Sequence, residues 1–198
     1  MRPNTYTKMI NVSFAPRKVV ICINKEIEEV FILPDNKLLY IRPEALDKMN
    51  KYKQIRWSDT EAGGILIGRI LMEDGNYIID DVSEPMPTDK RKRTRFSRKV
   101  EGHQEYFNDV WKREAGRCFY LGEWHTHPQK IPVPSSIDRK DWNRLLKIGY
   151  ETGCLFFIII GIDKLKVWYG DGEEPSVVEL KRRNIFGTRY KKDKKKTT

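Results

Sequence analysis

The stretch GEWHTHPQKIPVPSSID, residues 122–138, decides how the rest of the chain is read. It gathers two of the three histidines, three prolines and two acids into seventeen residues. In an extended segment alternate side chains point to one face, so His125 and His127 present two imidazoles together while Thr126 turns away. Such a pair is a two-pronged metal grip. Pro128, Pro132 and Pro134 then bar a regular ladder or helix and stiffen the loop. The loop ends where Ser135, Ser136 and Asp138 open the next helix. Asp138, eleven residues past His127, is placed to supply a third, anionic ligand.

Outward from this stretch, strands alternate with helices. On its N-terminal side, Tyr106, Phe107, Val110 and Trp111 recur at helical spacing, Gly116 stops that helix, and a strand over 118–124 delivers the histidines. On its C-terminal side, Trp142, Leu145, Leu146 and Gly149 share one face of a second helix that Gly153 closes. The unbroken apolar run 155–162 reads as a central strand, with strands over 166–169 and 176–180 completing a sheet. Earlier in the chain, strands are expected over 18–24 and 29–33. PDNK at 34–37 is a turn into a strand over 38–41, and Pro43 starts a helix running to Lys53. EAGGILIGRI, residues 61–70, is a β-type run whose glycines permit close approach, and Asp74-Gly75 turns it into an antiparallel partner over 76–82. The class implied is α/β, with a mixed sheet flanked by helices.

At 198 residues and 39 % hydrophobic, the chain can bury one substantial core and is read as a single domain. Its longest apolar run falls far short of the roughly 18 residues of a membrane span. No signal-peptide pattern opens the chain, so a cytoplasmic location with no membrane partner is expected. Cys22, Cys118 and Cys154 are widely spaced in apolar segments and read as core thiols rather than a disulfide framework or metal site. The net charge of +10 is uneven: residues 90–99, KRKRTRFSRK, carry +7 and residues 181–198 carry +8, leaving −5 for the remainder. Both basic segments are candidates for nucleic acid or an acidic protein surface, against the plain alternative of solvated charge.

A catalytic zinc usually takes three protein ligands and keeps a fourth position for water. His125, His127 and Asp138 make such a set, and N/N/O ligation suits zinc better than magnesium or calcium. Water activation then needs a general base, for which Glu61 is the candidate, while the Ser135 hydroxyl is placed to donate to an oxyanion. Each element also has an ordinary reading. Ser135-x-x-Asp138 alone is a helix capping box, and a lone His-x-His in a strand is often structural. His103, beside Tyr106 and Phe107 at a helix start, fits a packing or surface role better than ligation. Trp124 and Trp142 read as core walls near the site.

Taken together, His125-Thr126-His127-Pro128, Ser135-x-x-Asp138 and Glu61 within EAGGILIG resemble the JAMM motif of the JAB/MPN metalloproteases. The resemblance spans about residues 38–180. It implies the MPN fold, a mixed and mainly antiparallel sheet flanked by helices. It also implies one Zn2+ per chain on His125, His127 and Asp138, with Glu61 as base and Ser135 as oxyanion partner. The expected reaction is peptide or isopeptide hydrolysis after the C-terminus of a ubiquitin-like protein. More narrowly, YLGEWHTHP with Phe96, Arg98, His103-Gln104 and Trp111 is similar to short bacterial JAB proteins encoded beside E1- and E2-like enzymes. Among these are deconjugating peptidases of CBASS antiphage operons, which release a nucleotide cyclase attached through its C-terminus. On this reading residues 1–37 are an N-terminal extension with a hairpin, 38–182 the JAB/MPN domain, and 183–198 a basic tail. Loop 84–102 lies where related proteases place substrate-contacting insertions. The alternative is a DNA-associated, RadC-like JAB protein binding nucleic acid through 90–99 and 181–198. Zinc deamination of nucleobases is disfavoured, because the Pro-Cys-x-x-Cys ligand pair is missing.

Overall fold

The computed structural model describes residues 29–172 and 177–183, so the strand expected over 18–24 and the tail beyond 183 lie outside the described residues. In chain order the elements are β1 (Glu29–Ile32), β2 (Leu38–Ile41), α1 (Pro43–Asn50), β3 (Gly63–Ile70), β4 (Tyr77–Val82), β5 (Lys90–Lys92) and β6 (Arg95–Ser97). They continue with α2 (His103–Arg113), β7 (Phe119–Thr126), α3 (Ser136–Leu146), β8 (Cys154–Ile160), β9 (Leu165–Asp171), β10 (Val177–Glu179) and β11 (Lys181–Arg182). Among the described residues no helix is long and apolar enough to cross a membrane.

Among the described residues nine strands form one mixed sheet in the order β10-β9-β8-β7-β3-β4-β2-β1-β11. The β2–β4 and β7–β8 pairs are parallel and the rest antiparallel. Alternation along the strands separates two faces. Phe156, Ile158 and Ile160 of β8 join Leu66, Leu121 and Trp124 in one core that also takes Ala45, Leu46 and Met49 of α1. Leu155, Phe157 and Ile159 point the other way, against Trp142, Leu145 and Leu146 of α3. On that same outer side Ile65 and Ile67 meet Val110 of α2. The sheet is thus filled on both faces, which is why β8 is apolar at every position.

The two ends of this sheet are consecutive in the chain. Residues 177–179 pair with β9, whereas 181–182 pair with β1. Leu180 between them donates its N–H to Val167 O and buries its side chain in the α1 core. One short segment therefore ties the opposite edges together, and β1 is a member of the main sheet.

Several expected boundaries shift for physical reasons. α1 stops at Asn50, three residues short of Lys53, and turns at 51–52 follow it. α3 ends at Leu146, and Gly149, at φ +73°, lies beyond its last turn rather than on its face; Gly153 closes the turn that leads into β8. Trp111 is exposed on the outer side of α2. The basic run is no free loop: β5 and β6 form a hairpin whose backbone and side chains are fastened to the start of β3.

Strand β7 carries an irregularity that the alternation rule alone misses. Its register against β3 shifts between Leu66 and Ile67, opposite Leu121-Gly122. Gly122 sits at φ +132°, and a Cβ there would meet Phe156 O at 1.9 Å. The bulge inverts the alternation: Leu121 faces the inner core and so does Trp124, three residues on. Glu123 and His125 are thereby turned to the outer side.

Candidate metal centre

The register of β3 against β7 pairs Gly63 with His125, which sets Glu61, just before β3, beside the histidine strand. Thr126 N donates to Ala62 O and His127 N to Ile160 O, so both neighbouring strands fix the backbone between the two imidazoles. Thr126 turns inward and is fully buried. Its hydroxyl accepts from Ala62 N at 3.0 Å and donates to Gln54 Oε1 at 3.3 Å. The Gln54 amide in turn donates to Asp59 O and to Arg93 O in the hairpin turn. Gln54 is 1 % exposed and all its polar atoms are partnered. It links the loop before β3, the hairpin and the strand of the histidines.

The imidazoles converge as their spacing suggests. His125 Nε2 and His127 Nε2 are 3.1 Å apart; Asp138 Oδ1 lies 3.4 Å from the first and Oδ2 3.5 Å from the second. Three N/O ligands of one tetrahedral ion, each at 2.0–2.2 Å, would be separated by roughly 3.3–3.5 Å. Each imidazole is at about that distance from one carboxylate oxygen of Asp138, and one donor atom from each residue lies within 4.8 Å of the others, so His125, His127 and Asp138 are gathered closely enough to hold a metal ion. Ser135 caps α3: its Oγ accepts from Asp138 N at 3.1 Å, while Asp138 Oδ2 accepts from Ser135 N at 2.6 Å. The capping box and the ligand geometry coexist, because one carboxylate serves the amide and still faces both rings.

Electrostatics follow from burial and these contacts. Burial opposes ionisation of Asp138, yet the two histidines and the Ser135 side chain hold its carboxyl well below the usual carboxylate range. For His127, burial pushes the ring down, but Asp138 and Glu61 reverse the effect and the net shift is upward. Glu61 is 5 % exposed, and its Oε1 lies 4.0 Å from His127 Nε2. Burial raises its pKa from 4.5 to about 7, against the opposing pull of His127.

The basic hairpin holds Glu61 by its backbone. Glu61 N donates to Lys92 O, Arg91 Nε donates to Glu61 O, and the Phe96 amide donates to the carboxylate. The Phe96 ring lies across Gly63, where a Cβ would come within 2.5 Å of both the ring and Trp124 O. Arg98 anchors the outgoing arm through two bonds to Glu123, at 2.6 and 2.9 Å. At the hairpin base Asp89 accepts from Met86 N, Lys99 N and His103, and the His103 Nδ1 meets Ser83 Oγ at 2.6 Å. His103 is therefore a buried bracket, the packing half of the role expected for it.

The ligand triangle opens into a cleft of about 360 Å³, lined by Glu61, Arg95, Phe96, Val133, Ser135 and Ile137 among others. Trp124 and Trp142 are buried at its floor; Trp142 stacks on Phe157 at 4.8 Å between centroids. Sequence reasoning singled out the five polar side chains that meet here and missed Gln54, Thr126 and Phe96. A lone glutamine carries no periodic signal, and only the folded contacts give it a role.

Comparison with known proteins agrees with this geometry. The family of prokaryotic homologs of the JAB domain matches residues 46–171. A "CD-NTase/cGAS isopeptidase" of Escherichia coli is 35 % identical over 158 residues, covering 80 % of this chain and 97 % of that protein. Its namesake in Vibrio cholerae is 32 % identical over 157 residues, covering 79 % and 96 % respectively. The "Probable metalloprotease y4qB" of Sinorhizobium fredii is 35 % identical over 111 residues, covering 52 % and 63 %.

Proposed function

The chain belongs to the prokaryotic JAB-domain family, and on that premise we propose how its residues carry out isopeptide hydrolysis. It is a metalloprotease-type hydrolase of the isopeptidase kind that its relatives are named for. In the proposed chemistry His125, His127 and Asp138 hold zinc, the ion that an N/N/O donor set favours. When bound, the ion acts as a Lewis acid toward a carbonyl and makes water acidic enough to attack at neutral pH. Glu61 takes the proton of the attacking water and passes it to the leaving amine, a transfer suited to a carboxyl whose burial raises its proton affinity. The Ser135 hydroxyl, held beside Asp138 by the bond from Asp138 N, is proposed to donate to the oxyanion of the scissile carbonyl.

The bond proposed for cleavage follows the C-terminus of a protein joined to a target amine, such as a CD-NTase conjugated by E1/E2-like partners in antiphage defence. The observation that carries this reading is the buried Glu61 carboxyl 4.0 Å from His127 Nε2, beside the His-His-Asp triangle. The relatives' names favour hydrolysis over the DNA-associated alternative. Catalysis is proposed to belong to residues 38–182, on the sheet that also contains β1. The test is to incubate the protein with a CD-NTase conjugated through its C-terminus and weigh the products. The free C-terminal carboxylate of the CD-NTase is expected, and His127→Ala should lose both bound metal and cleavage. An intact conjugate after incubation with the metal-loaded parent would overturn the substrate assignment.

A further inference from the structure

On the loop before β3, two large apolar side chains stand in solvent among the described residues: Trp57 is 83 % exposed and Ile55 74 %. Single exposed apolar residues are ordinary. These two, however, project from a fastened loop. Arg56 N donates to Asp59 Oδ2 at 2.7 Å, Asp59 N donates to Arg56 O at 3.1 Å, and Gln54 bonds Asp59 O from the buried side. Arg93, in the turn of the basic hairpin, donates to Arg56 O at 3.0 Å and to Trp57 O at 2.6 Å. Its guanidinium lies over the Trp57 ring at 4.1 Å from the centroid. The indole is thus held out by a cation rather than loosely placed, and little ordering entropy remains to oppose its docking.

The exposed charged side chains of the adjoining hairpin are basic. Lys90, Lys92, Arg95 and Lys99 are exposed, and among the described residues no acid lies within ion-pair range of them. A surface combining Trp, Ile and Arg with a basic rim has the composition of a protein-interface anchor. Single-stranded nucleic acid fits less well: Arg93 already covers one face of Trp57, and Ile55 offers no face for a base to stack on.

We propose that Ile55, Trp57 and Arg93, with the exposed lysines of the hairpin, dock an acidic face on the folded body of the conjugated protein, apart from the cleft that takes its tail. This rests on the isopeptidase reading. The docking surface and the cleft share one support, since Gln54 bonds the hairpin turn, the Trp57 loop and Thr126 between the ligand histidines.

Two substrates that share the residues before the scissile amide separate docking from chemistry. One is a CD-NTase fused through its C-terminus to a second folded protein. The other is a peptide of that terminus bearing a fluorogenic amide. Trp57→Ala and Ile55→Ser should each raise KM for the fusion about tenfold, with kcat unchanged, peptide cleavage unchanged and Tm within a degree or so of the parent. Lys92→Glu should raise the fusion KM as well, and added salt should shrink the parent's preference for the fusion. Equal losses on both substrates, or no loss on either, would overturn the docking surface. So would an unaltered fusion KM together with lost binding of an oligothymidylate, which would assign the patch to nucleic acid. A fall of several degrees in the Tm of Trp57→Ala would show that segments of this chain outside the described residues cover it, also against the proposal. If the parent cleaves neither substrate, the isopeptidase reading fails first, and the docking surface with it.

Discussion

Glu61 is buried beside two imidazoles and a carboxylate, and its own carboxyl titrates at about 7 instead of 4.5. Between those values the folded, metal-free protein keeps a proton that the unfolded chain has lost, so the stability that Glu61 contributes is present below pH 4.5 and lost as pH rises through 7. The metal-free Glu61→Gln variant should therefore be more stable than the parent at pH 8, by up to about 3 kcal/mol, and match it near pH 4. Thermal melts after chelation at the two pH values check this; equal melts at pH 8 would remove burial as the cause of the shift. In the loaded enzyme the same carboxyl must be ionised to accept a proton, so kcat/KM should climb with pH through a limb at or below about 7, since a nearby cation favours the carboxylate. At this scale much was legible in the sequence, because ligand chemistry restricts residue type and spacing. His125, His127 and Asp138 could be named from a strand period and a helix cap. Gln54 and Thr126 could not, since their partners lie 72 residues apart in the chain and meet only once β3 and β7 pair.

The hairpin β5–β6 shows what an element adds to those residues. Read as sequence, KRKRTRFSRK is a block of charge. In the fold, Arg91, Arg93 and Arg98 are occupied in holding backbone carbonyls and Glu123, and the hairpin backbone holds Glu61. Charge counting cannot distinguish an arginine that fastens a backbone from one that meets a partner, so this role was hidden. Gln54→Ala would leave the Thr126 hydroxyl and two carbonyls without their partner, at a cost of about 1–3 kcal/mol. Turnover of a peptide substrate should fall while its KM and the bound metal stay constant, because what is lost is alignment of Glu61 with the histidines. Gly63→Ala should lower turnover too, since a Cβ there would press on both the Phe96 ring and Trp124 O in the strand of the ligand histidines, and its metal content should fall with it. Comparing kcat, KM and metal content for both variants checks the assignment, and a change in KM alone would contradict it. The bulge at Gly122 is the other element-level feature that strand periodicity did not disclose. A glycine in a strand permits a bulge, but the register shift is fixed by β3 and β8 together.

At the scale of the whole molecule, the strand and helix order was readable because apolar runs and glycine turns mark it. Closure was not, since nothing local says that residues 177–183 pair with β9 and then with β1. Leu180 anchors that segment in the α1 core. Leu180→Ala should destabilise by about 2–5 kcal/mol and loosen both edges at once, which hydrogen exchange would register as joint loss of protection in β1 and β9. Protection lost at one edge alone would argue against a shared clasp. Closure matters for function because it fixes the sheet on which β3 and β7 align base and ligands. The most direct test of the central claim measures metal content and conjugate cleavage side by side in the parent and in Glu61→Gln. One metal ion per chain is expected in both proteins, with cleavage reduced by about 10²–10⁴-fold in the variant alone. A variant that cleaves at the parental rate, or a parent that binds no metal, would contradict it.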